Sequence, residues 1–190
     1  METLQMFASK FVDLSDEELF FFEKHLQPMS IKKMNHLFVS DTYINDLFFL
    51  ESGIFRVYLV KDGMEYTTKF LFGPTFYTDL FSIRKHSPSI LNVQALSDCK
   101  CYKVNFAIIE AAKDESQNLR RLFLKFYEEI YIEGVKRQVS FIIDSQDKRY
   151  TDLLKDNPKI VECIPLQYIA SYLGLKPETL SRIRKRINDI

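Results

Sequence analysis

Several things this chain of 190 residues lacks narrow its function before any motif is considered. Neither sign of charge is in surplus. With 26 basic residues against 26 acidic ones, a uniformly basic coat for nonspecific nucleic-acid binding is excluded, while a local basic patch is not. No apolar run approaches the ~18 to 20 uncharged residues of a membrane helix, so no membrane partner is expected. The N-terminus lacks the basic and apolar regions of a secretion signal, and a cytoplasmic location is the expectation. Cysteine is sparse and odd in number, three in all. Cys99 and Cys101 flank Lys100 as strand neighbours that share a face, which predicts buried free thiols. Cys163 is remote, and His25, His36 and His86 are scattered, so the clustered ligands of a metal or iron–sulfur site are missing and no resident cofactor is expected. No Ser-His-Asp arrangement, P-loop or paired-carboxylate motif appears, which argues against an enzyme. Internal repeats and low-complexity segments are absent too.

What is present suffices for one large or two small folded domains, since 46% of residues are hydrophobic. "LSDEELFFFEKHL" opens with Ser15 as an N-cap and the acids Asp16, Glu17 and Glu18, predicting a helix over 16–26. From Ile31 to Val104, short Phe, Tyr, Val, Ile and Thr-rich runs alternate with turn signals, the pattern of an antiparallel sheet or barrel. Asp62-Gly63 supplies the positive φ of a tight hairpin turn between paired strands Ile54–Val60 and Tyr66–Phe72. The period then becomes helical. Leu119, Leu122, Phe123, Phe126 and Ile130 recur at steps of three and four, and Val135, Val139 and Ile142 extend the stripe, predicting one helix over 118–143 of ~37 Å. That is longer than a covering helix needs, so the stripe is expected to meet the same helix of a second copy, the competing reading being a cap on the β domain. "RYTDLLKDNP" predicts a short helix stopped by Pro158.

The terminal stretch "IPLQYIASYLGLKPETLSRIRKRI" reads as a helix-turn-helix. Ile169, Ala170 and Leu173 form one apolar face, Gly174 permits a left-handed turn, and Pro177 suits the first position of the next helix. Stepping 100° per residue puts Leu180, Ile183 and Ile187 on a core side and Glu178, Arg182 and Lys185 on the opposite side, flanked by Ser181 and Arg186. Five basic side chains, Lys176, Arg182, Arg184, Lys185 and Arg186, gather here against Glu178 and Asp189. An exposed arginine beside a glutamate can read guanine and cytosine edges in a major groove, and a small Ala170 lets the helices approach. A solvated charged hairpin is the plainer alternative.

Taken along its length, the chain resembles the cyclic-AMP receptor protein and FNR class of bacterial transcription regulators. The resemblance runs from the N-terminal helix through "FFLESGIFRVYLVKDGMEYTTKFLFGP" and the long helix to "IASYLGLKPETLSRIRK". It implies an α+β fold: an antiparallel β-roll (jelly roll, cyclic-nucleotide-binding-like) over 1–117, a dimerisation helix over 118–145, and a helix-turn-helix domain over 146–190. Glu178, Ser181 and Arg182 match the E-x-x-S-R recognition signature of the FNR-like branch, which implies base reading, with Lys176, Thr179, Arg184, Lys185 and Arg186 toward the DNA backbone. Double-stranded palindromic DNA, a second copy and RNA polymerase are the implied partners.

Three departures qualify the resemblance. Where cyclic-AMP binders have a Gly-Glu pair and later an Arg-Ser/Thr-Ala run, this chain has Gly73-Pro74 and Pro88-Ser89-Ile90-Leu91, so the phosphate arginine is missing and neither cyclic AMP nor cyclic GMP is expected to bind. Arg84 is nearby but in a different local pattern. The N-terminal cysteines that hold an oxygen-sensing cluster in FNR-type members are absent, and little chain follows the recognition helix to form a wing. Aromatic residues from Phe70 to Phe81 could line a pocket for a less charged ligand or form ordinary core. A β-roll interaction module that leaves DNA untouched and a cupin-like metalloenzyme are the competing functions, the latter disfavoured because His36 and His86 are isolated.

Overall fold

The computed structural model describes residues 2–188; Met1, Asp189 and Ile190, at the ends of the expected first and last domains, lie outside the described residues. Helices α1 (Glu2–Ala8) and α2 (Asp16–His25) lead into strands β1 (Gln27–Ile31), β2 (His36–Phe38), β3 (Asp46–Ser52), β4 (Ile54–Lys61), β5 (Met64–Phe72) and β6 (Thr75–Tyr77). A short α3 (Leu80–Lys85) precedes β7 (Asn92–Ala95) and β8 (Cys99–Asn105). Then follow α4 (Phe106–Glu115), α5 (Gln117–Ile143), α6 (Gln146–Asp156), α7 (Pro158–Cys163), α8 (Leu166–Leu173) and α9 (Pro177–Asn188).

The strands form two antiparallel four-stranded sheets, ordered β1-β8-β3-β6 and β2-β7-β4-β5. Strand β3 shows why the segment reads as an apolar run rather than an alternating one. Its Phe48 and Leu50 point between the sheets, where Phe38, Phe55, Val57, Leu71 and Val93 also pack. Its Leu47 and Phe49 point the other way, toward Phe7, Phe22, Phe76 and Phe123 under the helices. Both faces are covered, so alternation is lost. Cys99 and Cys101 are free and buried between the sheets, and burial pushes the Cys101 thiol up to about 12.

The β4–β5 hairpin turns on Asp62 and Gly63 at φ of 53° and 73°, the pair of positive values a two-residue turn requires. Helix α2 starts as expected, with Ser15 and Glu18 exchanging hydrogen bonds in a capping box. Helices α1, α3 and α7 fall outside the expectations, because six or seven residues span too few turns to show a period. Pro158 does end one helix, and it also opens α7 from its first turn. The C-terminal helices share an apolar cluster with the β-roll: Tyr150, Leu153, Ile160, Ile169, Leu173, Leu180 and Ile183 pack with Phe70 and Leu96.

Candidate nucleic-acid interface

The turn between α8 and α9 is held by the backbone itself. Gly174 takes φ of +68°, the Leu175 amide donates to the Ala170 carbonyl at 2.8 Å, and the Gly174 amide donates to Ser171 at 3.1 Å. This is the Schellman arrangement, and a side chain at 174 would be strained by its φ and would also press the Phe141 ring, 2.8 Å from a Cβ placed there. The remaining terminal carbonyls of α8 are met by arginines from outside it: Arg137 donates to Tyr172 at 2.7 Å and Arg149 to Leu173 at 3.4 Å. Burial lowers the ionisation range of Arg137, with neighbouring Arg149 adding to the shift and the Tyr172 side chain opposing it.

On α9, Leu180 and Ile183 are fully buried and Ile187 is half-buried against the same cluster, with Ala170 of α8 wholly covered. Glu178, Arg182 and Lys185 are exposed, as are Lys176 and Arg186. Thr179, Ser181 and Arg184 are half-buried at the margins. Arg182 donates to the Thr179 hydroxyl, one turn earlier on the helix, at 3.4 Å. Arg186 is engaged with Asp147 of α6 at 2.5 Å, an ion pair that ties the outer end of α9 to the domain.

The stripe on α5 divides. Leu119, Leu122, Phe123 and Phe126 are buried by the chain's own β-roll and N-terminal helices, so these four residues, expected at an interface between copies, form intrachain core. The reason is that α5 begins against the sheet face carrying Leu47, Phe49 and Phe76, and that aromatic face takes the first turns. Ile130 lies at the transition, 36% exposed, and beyond it Tyr131, Ile132, Val135, Val139, Ile142 and Ile143 are exposed.

The segment from Asp79 to Leu91 is held by its own polar contacts. Asp79, buried, caps α3 by accepting from the Ser82 amide at 3.1 Å, and it accepts from the Ser89 hydroxyl at 2.6 Å. Burial pushes the Tyr77 phenol upward, and the nearby charge of Asp79 adds to the shift. Arg84 is turned to Glu110, 2.5 Å away, and stacks on Phe106. A cleft of about 380 Å³ does lie between β5, β6 and α5, lined by Phe70, Phe76, Phe126 and Tyr127 among others. No group of three or more metal-ligating side chains occurs among the described residues. No helix of the described residues is long and apolar enough to cross a membrane.

Sequence reasoning missed a polar joint between the β-roll and α8. Ser171 accepts from the Thr67 amide and donates to the Glu65 carbonyl, each at 2.9 Å, and Arg56 is buried beside them. Its one signal was an arginine in the middle of the apolar strand "IFRVYLV".

No protein-family model and no curated protein matches this chain. Solved structures do. FixK2 from Bradyrhizobium japonicum is 16% identical with a TM-score of 0.73, over 86% of this chain and 85% of that one. A CooA mutant from Carboxydothermus hydrogenoformans is 15% identical with a TM-score of 0.74, over 93% and 81%. A protein from Eubacterium rectale described as a transcriptional regulator of the crp/fnr family is 20% identical with a TM-score of 0.69, over 92% and 84%. The fold is that of Crp/Fnr regulators, with a cyclic-nucleotide-binding-like roll, a long helix and terminal helices.

Proposed function

We propose that the chain is a homodimeric, sequence-specific DNA-binding transcription regulator of the Crp/Fnr type, acting in the cytoplasm with RNA polymerase as a further partner and without catalytic activity. Its parts are the roll over 1–117, the dimer helix over 118–145 and the DNA-binding domain over 146–190. The observation that carries the proposal is the two-sidedness of α9: Leu180 and Ile183 are sealed into the domain while Glu178, Arg182 and Lys185 stand in solvent on the other face. Arg182 offers two parallel donors to a guanine, Glu178 accepts from a cytosine amine or orients Arg182, and Ser181 supports them. Lys176, Arg184 and Lys185 face phosphates. Arg186 does so only by leaving Asp147.

Dimerisation runs through the distal part of α5, where Tyr131, Val135, Val139 and Ile142 follow at steps of four, four and three and remain exposed. A palindrome needs two reading helices about 34 Å apart, which a two-fold axis along α5 supplies. Cyclic AMP and cyclic GMP do not bind, because no residue from Ser87 to Leu91 offers a cation to their phosphate, and the Ser89 hydroxyl is already engaged by the buried Asp79 carboxylate.

The test is selection of binding sites from random duplexes with purified protein, followed by titration at two salt concentrations. A recovered palindrome whose affinity falls steeply with salt supports the proposal. Recovery of no sequence, with binding absent at low salt, refutes it and leaves the β-roll as a protein-interaction module.

A further inference from the structure

Arg56 is among the largest fully buried side chains of the protein, 1% exposed, and none of the roles above uses it. It sits in the middle of β4, and its side chain leaves the sheet toward α8. Nε donates to the Thr67 hydroxyl at 2.8 Å and Nη1 to a Glu65 carboxylate oxygen at 2.6 Å. The guanidinium carbon lies 4.3 Å from the centre of the Tyr58 ring and 3.9 Å from that of Tyr168. Tyr58 belongs to β4 and Tyr168 to α8, so the cation is clamped between an aromatic ring of the roll and one of the helix-turn-helix.

The same two β5 residues that hold Arg56 by their side chains hold Ser171 by their backbone. β5 is the outer strand of its sheet, and the β4–β5 register shifts between Val57 and Tyr58, leaving the Thr67 amide free for the Ser171 hydroxyl. An apolar cluster around Phe70 and Leu96 already attracts the helical domain to the roll, but hydrophobic contact has no preferred direction. A planar guanidinium does. Its fork and its two faces admit one orientation of the partners, and a buried arginine is a costly way to add mere adhesion.

We infer that Arg56 is a positioning residue for DNA reading: pinned to β5, it fixes Tyr168 and hence α8, and through the α8–α9 packing it fixes the angle of the reading face relative to the roll. The inference rests on the DNA-binding reading above, and it is separable from it by experiment.

Arg56→Met, Arg56→Lys, Tyr168→Leu and Tyr168→Phe are compared by hydrogen exchange over residues 64–72 and 166–173 and by affinity for the selected duplex and an unrelated one. Tyr168→Phe keeps the ring and should match wild type in every measure. Arg56→Met, Arg56→Lys and Tyr168→Leu should speed exchange at the Thr67 amide about tenfold or more, as expected for opening of the joint, and should weaken selected-duplex binding about tenfold while unrelated-duplex binding changes by less than about twofold. Rescue by lysine at 56 would mean that charge alone suffices and would overturn the inference, as would unchanged Thr67 protection in Tyr168→Leu or faster exchange without loss of selective affinity. If Arg56→Met does not fold, the Tyr168 pair decides alone. Failure of wild type to select any duplex counts against the DNA-binding reading, whereas exchange at Thr67 still reports whether the clamp pins the domains.

Discussion

The two halves of α5 carry one apolar period and end in opposite surroundings. Early on, Phe123 packs at 5.4 Å from Phe76, and Phe126 at 5.7 Å from Phe7, in a cluster that closes under the sheet. Later, Ile142 is 82% exposed and Tyr131 71%. Periodicity identifies the apolar side of a helix, but the covering partner is set by what the rest of the chain brings opposite. Here the roll covers about the first three turns and then falls away, so the stripe changes from core to surface without any change in pattern. The exposed half is where a second copy has room to pack.

Substitutions in each half separate the two roles, and the largest effect belongs to the buried one. Phe123→Ala should cost about 3–5 kcal/mol in denaturant unfolding, as expected for an aromatic truncated in a closed core. Retained stability together with loss of the dimer would reverse the assignment of the halves.

Val135→Glu with Ile142→Glu acts on the exposed half. The chain should stay folded, sediment at its monomer mass of 22.5 kDa, and bind the selected palindrome roughly 10²-fold more weakly, since the second contact is no longer tethered to the first. An unchanged dimer in sedimentation would place the contact elsewhere.

A smaller effect is expected where α9 meets DNA. Arg182→Ala should remove ~1 to 3 kcal/mol of discrimination at one base pair in each half-site, read by titrating single-base variants of the duplex. Arg184→Ala should instead weaken all duplexes alike and flatten the salt slope by about one unit. Arg186→Ala should do less than Arg184→Ala, because Asp147 already holds Arg186. Equal consequences for Arg182 and Arg184 in both measures would return the charged face to plain solvation.

The smallest effect lies at the start of α5. Burial disfavours the Glu18 carboxylate, but hydrogen bonds from the Ser116 hydroxyl, the Ser15 amide and Asn118 outweigh it and hold its ionisation below the ordinary 4.5. A depressed folded value contributes stability above 4.5 that is lost as pH falls through the folded value. Wild type should therefore lose stability more steeply than Glu18→Gln as the pH falls from 4.5, measured by unfolding midpoints across that range. Parallel curves would show that Glu18 contributes nothing by its charge.

The features legible in sequence are the local ones. Asp62-Gly63, the Ser15 cap, Gly174 and Pro177 each state their backbone geometry within a few residues, and the long helix repeats its stripe often enough to be seen. The polar joint was not legible because its partners are far apart: Thr67 and Ser171 are separated by 104 positions, and neither is unusual alone. The Asp79–Ser89 contact spans only 10 positions, yet an aspartate before a short helix reads as a plain cap until its burial is seen. The division of α5 needed the packing of α1 and α2, whose aromatic side chains could as well have closed on other faces.

The central claim, a dimer that reads a palindrome with α9, is tested most directly by the mass of the complex on a selected duplex. Analytical sedimentation with the duplex in excess should give two chains on each palindrome, and the preference of that species for the selected over a scrambled duplex should shrink when Arg182 is replaced by Ala at the same salt. One chain per duplex, or a complex that forms equally on selected and scrambled sequences, would contradict the account.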